Sequence, residues 1–149
     1  MKLRRAVQGD YPILIDLLSQ LNPEDPHQPE VTENVFAEIL ASEYFQVIVA
    51  EYDEALVAAC YLNIIPNLTR AGRPYGLIEN VVTGKRFRQR GFGKKVLEHA
   101  LSLAWQADCY KVMLMSGRSD ASVHHFYRSC GFNPNAKQAY IVRKPDPVA

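Results

Sequence analysis

Apolar positions along this chain recur with helical and with strand periods, and they predict a mixed α and β order. Residues 2–7 alternate basic and apolar side chains and read as an edge strand. Ile13, Leu14, Leu17, Leu18 and Leu21 then recur at helical spacing. Asp10 stands in the N-cap position and Pro12 in the first turn, where its missing N–H costs nothing. The proline-rich stretch 22–30 reads as a connecting loop. A second helix is predicted over 32–40, capped by Thr32 and burying Val35, Phe36, Ile39 and Leu40. Residues 45–51 and 55–65 are apolar and β-branched, and the break Tyr52-Asp53-Glu54 predicts a hairpin, although its turn lacks glycine.

Residues 67–76, with proline, glycine, Arg70 and Arg73, read as a loop, and 77–83 as the next strand. A helix over 93–107 presents Val96, Leu97, Ala100, Leu101 and Ala104 on one face. The nearly continuous apolar run 110–115 predicts a strand in the middle of a sheet. Ser119 or Asp120 caps a last helix ending at Ser129, and Gly131 takes the left-handed position beyond it. Residues 138–144 predict a closing strand, and the tail from Pro145 is expected to be loose. Antiparallel hairpins first and strand–helix–strand units later predict an α/β (α+β) three-layer sandwich, a central mixed β-sheet flanked by helices, in one domain spanning 1–149.

Composition narrows the function only by exclusion. Hydrophobic residues make up 48% and charged residues 22%, ordinary for a globular protein, and a net charge of +1 gives no global reason for nucleic-acid or membrane binding. No stretch approaches the ~18–20 apolar residues of a membrane span, and no signal-peptide core follows the basic start. Cys60, Cys109 and Cys130 show no metal-ligand spacing, so no metal is expected, and reduced thiols fit a cytoplasmic protein.

The informative run is Leu77 to Ala104: an apolar strand, a basic turn with two glycines, then a long amphipathic helix. That order aims backbone N–H groups and a helix N-terminus at one point, which suits an anion and phosphate above all. Lys85, Arg86, Arg88, Arg90, Lys94 and Lys95 add positive charge with no acid among them. A Walker loop is absent, and a dinucleotide fingerprint fails because its third glycine position holds Val96. A solvated basic turn and a nucleic-acid patch stay open on these residues alone.

The pattern Arg88-x-x-Gly91-x-Gly93, with Ile78-Glu79-Asn80-Val81-Val82 before it and Phe126-Tyr127 and Gly131-Phe132 after it, resembles the GCN5-related N-acetyltransferases (GNAT family). The resemblance implies the GNAT acyl-CoA N-acyltransferase fold, acetyl-CoA (coenzyme A) as cofactor and direct transfer of its acetyl group to a primary amine. It implies that Val81, Val82 and Thr83 hold the pantetheine arm and that the amides of Arg88, Gln89, Arg90, Gly91, Phe92, Gly93 and Lys94 hold the pyrophosphate. Tyr127 is implied as the acid that protonates the departing thiolate, beside the cofactor. Glu79, two residues before Val81 and so on the same face, is the candidate base, or else a structural ion pair, for example with Arg73. Asp120 stands where relatives often carry a cofactor-contacting Asn, and an N-cap role fits it equally.

For the acceptor, 76–82 and 109–112 are similar to segments of the family's glucosamine-6-phosphate N-acetyltransferases, whereas 116–122 departs from their pattern. Arg73 and Arg118, with Arg70, are the candidate phosphate ligands, and Glu79 faces the amine. Glu24, Asp25, Glu30 and Glu33 would instead suit a polyamine. Protein amines and a non-catalytic acyl-CoA sensor are further alternatives. Dimers are common in the family, and a homodimer is the expected assembly.

Overall fold

The computed structural model describes residues 1–26 and 28–145; His27 and residues 146–149, which hold most of the tail expected to be loose, lie outside the described residues. The chain forms two compact units, Met1–Leu114 and the segment from Met115 onward.

The first unit is built on a five-stranded sheet in the order β1-β2-β3-β4-β5. Its strands are β1 (Lys2–Arg5), β2 (Phe45–Tyr52), β3 (Ala55–Ile65), β4 (Tyr75–Thr83) and β5 (Val112–Leu114). The first four pair antiparallel, and β5 runs parallel to β4. Val47 and Val49 point to one face and Ile48 and Ala50 to the other, yet all four are fully buried, so both faces are covered. Leu14 and Leu17 of α1 (Tyr11–Leu18) and Phe36 of α2 (Pro29–Ala41) join Val47, Val49, Ala59 and Val82 in one core. The opposite face, with Cys60, Leu62 and Ile78, is left to α3 (Phe92–Gln106), which packs on β2, β3 and β4 through Val96, Leu97 and Ala100. Each buried Val, Leu, Ile or Phe side chain among them contributes about 1.5–3 kcal/mol. This is the expected three-layer arrangement.

Several local expectations are corrected. Asp10 precedes α1, but its carboxylate makes no cap bond; it accepts from Arg4 at 2.6 and 2.9 Å and from the Val7 N–H at 2.8 Å. An ion pair outcompetes the cap because Arg4 is already fixed on β1, where it also holds Glu51 at 3.0 Å. Ile13, predicted inward, is 50% exposed. α2 starts at Pro29 rather than at Thr32, whose hydroxyl instead donates back to the Gln28 carbonyl (3.0 Å) inside the helix. Val35 is exposed, while Arg5 caps the far end of α2 by donating to the carbonyls of Leu40 (2.9 Å) and Ser42 (2.7 Å). The hairpin turn works without glycine because Asp53 and Glu54 both take left-handed conformations, φ 52° and 60°.

Among the described residues β5, predicted to lie mid-sheet, is an edge strand. Residues 138–144 form no strand among the described residues, and Tyr140 and Val142 are 89% and 96% exposed. A continuous apolar run reports which faces of a strand are apolar, not which strands flank it. The second unit carries α4 (Ala121–Ser129). Gly131 (φ 92°) ends it as expected, with Gly131 N–H donating to the Arg128 carbonyl and Phe132 N–H to the Tyr127 carbonyl.

Candidate active site

β4 is regular up to Glu79 and irregular just beyond it. Tyr61 of β3 stands opposite Glu79 and Ala59 opposite Val82, so the single residue Cys60 faces both Asn80 and Val81. That is a β-bulge, and Asn80 absorbs it with φ 50°. Asparagine tolerates this left-handed conformation better than most residues. The bulge corrects the expectation that Glu79 and Val81 share a face: by register, Glu79 shares its face with Val82, three residues on. A bulge leaves its extra residue outside the regular ladder, here at Asn80 and Val81.

The outer side of β4 is open over the same stretch. β5 pairs with Gly76, Leu77 and Ile78 only, and among the described residues no strand pairs on that side of β4 beyond Ile78. Glu79, Val81, Val82 and Thr83 therefore line a free strand edge. An extended, amide-bearing ligand can add to such an edge as a strand would.

The edge leads directly into the basic turn. Gly84 N–H donates to Val57 (2.9 Å), Phe87 N–H closes a tight turn onto Gly84 (2.8 Å), and Arg88 Nε–H donates back to the Thr83 carbonyl (3.2 Å). Lys85 N–H donates to Gln20 Oε1 (3.0 Å), which ties the turn to the end of α1. Gln89 (φ 60°) and Gly91 (φ 83°) are left-handed, and Gly91 is the N-cap of α3. The first ladder bond of α3 is Lys95 N–H to the Gly91 carbonyl, so the amides of Gly91, Phe92, Gly93 and Lys94 precede the ladder. No heavy atom lies within 4 Å of where a Cβ on Gly91 would stand. The turn thus offers an open cradle of N–H groups at the positive end of a 15-residue helix with no acid in its first turn. These features fit a pyrophosphate.

Within the first unit, Arg73 stands apart from this edge. Arg73 precedes β4 by two residues and pairs with Asp108 at 3.0 Å, not with Glu79. Six residues of nearly extended chain put it about 20 Å from Glu79. A phosphate at Arg73 would have to share that guanidinium with Asp108. Arg118, Asp120 and Tyr127 belong to the second unit. The Arg118 N–H donates to Ser116 Oγ (3.3 Å). Asp120 is the N-cap of α4, whose carbonyl accepts from Val123 N–H (3.0 Å) while its side chain makes no cap bond. Tyr127 packs against Phe126 and Phe132, with centroids 5.2 and 6.3 Å away.

A model of the acetyltransferase (GNAT) family matches residues 11–132. The chain belongs to the GNAT family. Enzymes of the GNAT family use acetyl-CoA as co-substrate. A structure of a putative acetyltransferase from Agrobacterium tumefaciens str. C58 is 47% identical with a TM-score of 0.92, over 97% of this chain and 100% of that one. The glucosamine 6-phosphate N-acetyltransferase of Arabidopsis thaliana is 32% identical over 130 residues, 83% of each chain. The enzyme of the same name from Trypanosoma brucei brucei is 34% identical over 83 residues; that match spans 56% of this GNAT chain and only about half, 54%, of the relative.

Sequence reasoning missed three participants. Tyr52 lies under the Arg90 guanidinium (5.3 Å), Gln20 anchors Lys85, and Asn80 makes the bulge while hydrogen-bonding the Tyr61 phenol. Burial pushes that phenol above its ordinary value, with the Asn80 bond opposing. Only Asn80 carried a signal, as a strand-averse residue amid apolar neighbours. Among the described residues no cluster of His, Cys, Asp or Glu is arranged to hold a metal ion, and no helix is long and apolar enough to cross a membrane.

Proposed function

We propose that this chain transfers the acetyl group of acetyl-CoA to a primary amine of a small molecule by direct attack in a ternary complex. One observation carries the reading: the bulged, open edge of β4 leads without interruption into the left-handed turn and amide cradle at Gly91. In this reading Val81, Val82 and Thr83 pair with the pantetheine arm, and the amides from Arg88 to Lys94 hold the pyrophosphate. An amide near Val81 donates to the thioester carbonyl oxygen, where negative charge grows. Glu79, directly or through water, takes a proton from the acceptor ammonium. The amine nitrogen then bonds to the acetyl carbon, Tyr127 gives its phenolic proton to the thiolate released when the C–S bond breaks, and the second proton shed by the acylated nitrogen restores the phenol. A phenol with a pKa near ~10 carries that proton at neutral pH. Asp120 is proposed as a further cofactor contact.

The Arabidopsis and Trypanosoma relatives support an amino sugar phosphate as the first acceptor to test, with Arg73 and Arg118 as its phosphate contacts. A polyamine is the second, favoured by the exposed carboxylates Glu24, Asp25, Glu30 and Glu33 around the start of α2. A homodimer is the proposed assembly, to be read by light scattering. The function is tested by thiol release from acetyl-CoA with glucosamine 6-phosphate, spermidine, amino acids, aminoglycosides and a short peptide. Release with one amine well above the others supports the enzyme and names its acceptor class. Background rates with all of them, while acetyl-CoA still binds by calorimetry, favour an acyl-CoA-binding sensor or a protein amine instead.

A further inference from the structure

We infer that Tyr52 and Arg90 form a positioning pair that holds the phosphate turn in its binding shape; the role rests on the acetyl-CoA reading above. Tyr52 ends β2, and the left-handed Asp53 and Glu54 after it turn the chain back into β3. The guanidinium of Arg90 lies 5.3 Å from the Tyr52 ring centroid, 5.2 Å from that of Phe92 and 5.8 Å from that of Phe87. The Tyr52 and Phe92 rings are themselves 5.1 Å apart, and Phe87 meets Phe92 edge-on at 6.2 Å. Arg90, although exposed, thus has its guanidinium flanked by rings from the hairpin tip, the entry to the turn and the first residue of α3.

A planar, weakly hydrated guanidinium suits ring faces in a way that an ammonium does not. The residues on either side of Arg90, Gln89 and Gly91, hold left-handed conformations that an unsupported turn would readily leave. Pinning the side chain of residue 90 fixes the peptide planes around it and hence the direction of their N–H groups. Arg90 therefore serves the cofactor through the shape of the turn, with its charge turned toward the rings rather than spent as a counter-ion to phosphate.

The experiment measures coenzyme A affinity by calorimetry at about 50 and 300 mM salt, together with KM for acetyl-CoA and kcat, for Tyr52→Leu, Tyr52→Phe, Arg90→Gln and the double variant Tyr52→Leu/Arg90→Gln. The expected result is about 3- to 10-fold weaker binding for Tyr52→Leu and for Arg90→Gln. The double variant should be little worse than either, and the salt slope should parallel the parent's. Tyr52→Phe, which keeps the ring, should match the parent, and for Tyr52→Leu kcat at saturating acetyl-CoA should stay within about twofold, because the loss lies in binding. Tyr52 is 37% exposed, so its variants should fold. Parent-like binding by Tyr52→Leu, with weaker binding and a flattened salt slope for Arg90→Gln alone, would overturn the pair and make Arg90 a direct phosphate ligand. Parent-like binding by both would also overturn it. A parent that does not bind coenzyme A would instead remove the cofactor reading, and this role with it.

Discussion

Gly91 is the position where the backbone geometry and the proposed chemistry can be separated most cleanly. Its φ of 83° is closed to most L-residues, yet a Cβ placed on it would meet nothing within 4 Å. Gly91→Ala therefore tests conformation rather than space. An L-residue held in the left-handed region costs roughly 1–2 kcal/mol. If the turn keeps its shape, that strain appears as lost stability, a melting temperature lower by about 2–8 °C for a chain of this size. If the turn relaxes instead, stability is retained but the Gly91–Phe92 amides rotate out of the cradle. One lost charge-assisted hydrogen bond, about 1.5–3 kcal/mol, weakens coenzyme A binding about 10- to 100-fold. The two costs trade against each other, so calorimetry and a thermal melt are run on the same preparations. Gly91→Asn, which tolerates the conformation, should show less of both effects, and Gly91→Val, branched and bulky at the cradle, more of both. Gly91→Ala with parent-like melting and parent-like affinity would refute the reasoning, because neither the strain nor the cradle would then be real.

Tyr127→Phe should lower kcat by ~10²–10⁴-fold with acetyl-CoA affinity little changed; unchanged turnover in the thiol-release assay would remove Tyr127 from the mechanism. The Arg4 guanidinium, bonded to Asp10 at 2.6 and 2.9 Å, holds that carboxyl below its ordinary range. Because the folded-state value is the lower one, the contribution of Asp10 is complete above about pH 4, its unfolded value, and is lost as pH falls through the folded value. Asp10→Asn should cost about 1.5–3 kcal/mol at pH 7 in denaturant unfolding and reduce the acid-side slope of stability against pH; an unaltered slope would assign acid sensitivity to other groups. Burial pushes the Cys60 thiol up to about 12, so brief maleimide treatment of the native protein at pH 8 should leave Cys60 unmodified in peptide mass spectra. Rapid labelling there would mean that β3 opens beside the bulge.

What could be read from the sequence was local. The strand periods of β2 and β3, the apolar face of α3, the left-handed Gly131 and the two-glycine turn each depend on neighbours a few residues apart, and each stands where local spacing put it. The turn motif also carried the family, since it needs only a strand, a glycine and a helix start in succession. The rest depended on distant partners. Nothing near residue 80 announces that Cys60 will face two residues, and that mismatch of register sets the face of Glu79. Asp10 had a capping position, but Arg4 on β1 claimed its carboxylate. Arg73 was free to meet Glu79 on paper, but the fold delivered Asp108 to it. The apolar run 112–114 could not state whether a strand would lie on its far side, and none does among the described residues. Propensity and spacing determined most of the helix and strand segments and the basic two-glycine turn between β4 and α3. Long-range pairing decided the bulge, the open edge and the partners of each charge, because those follow from which segments meet and not from what any segment prefers alone.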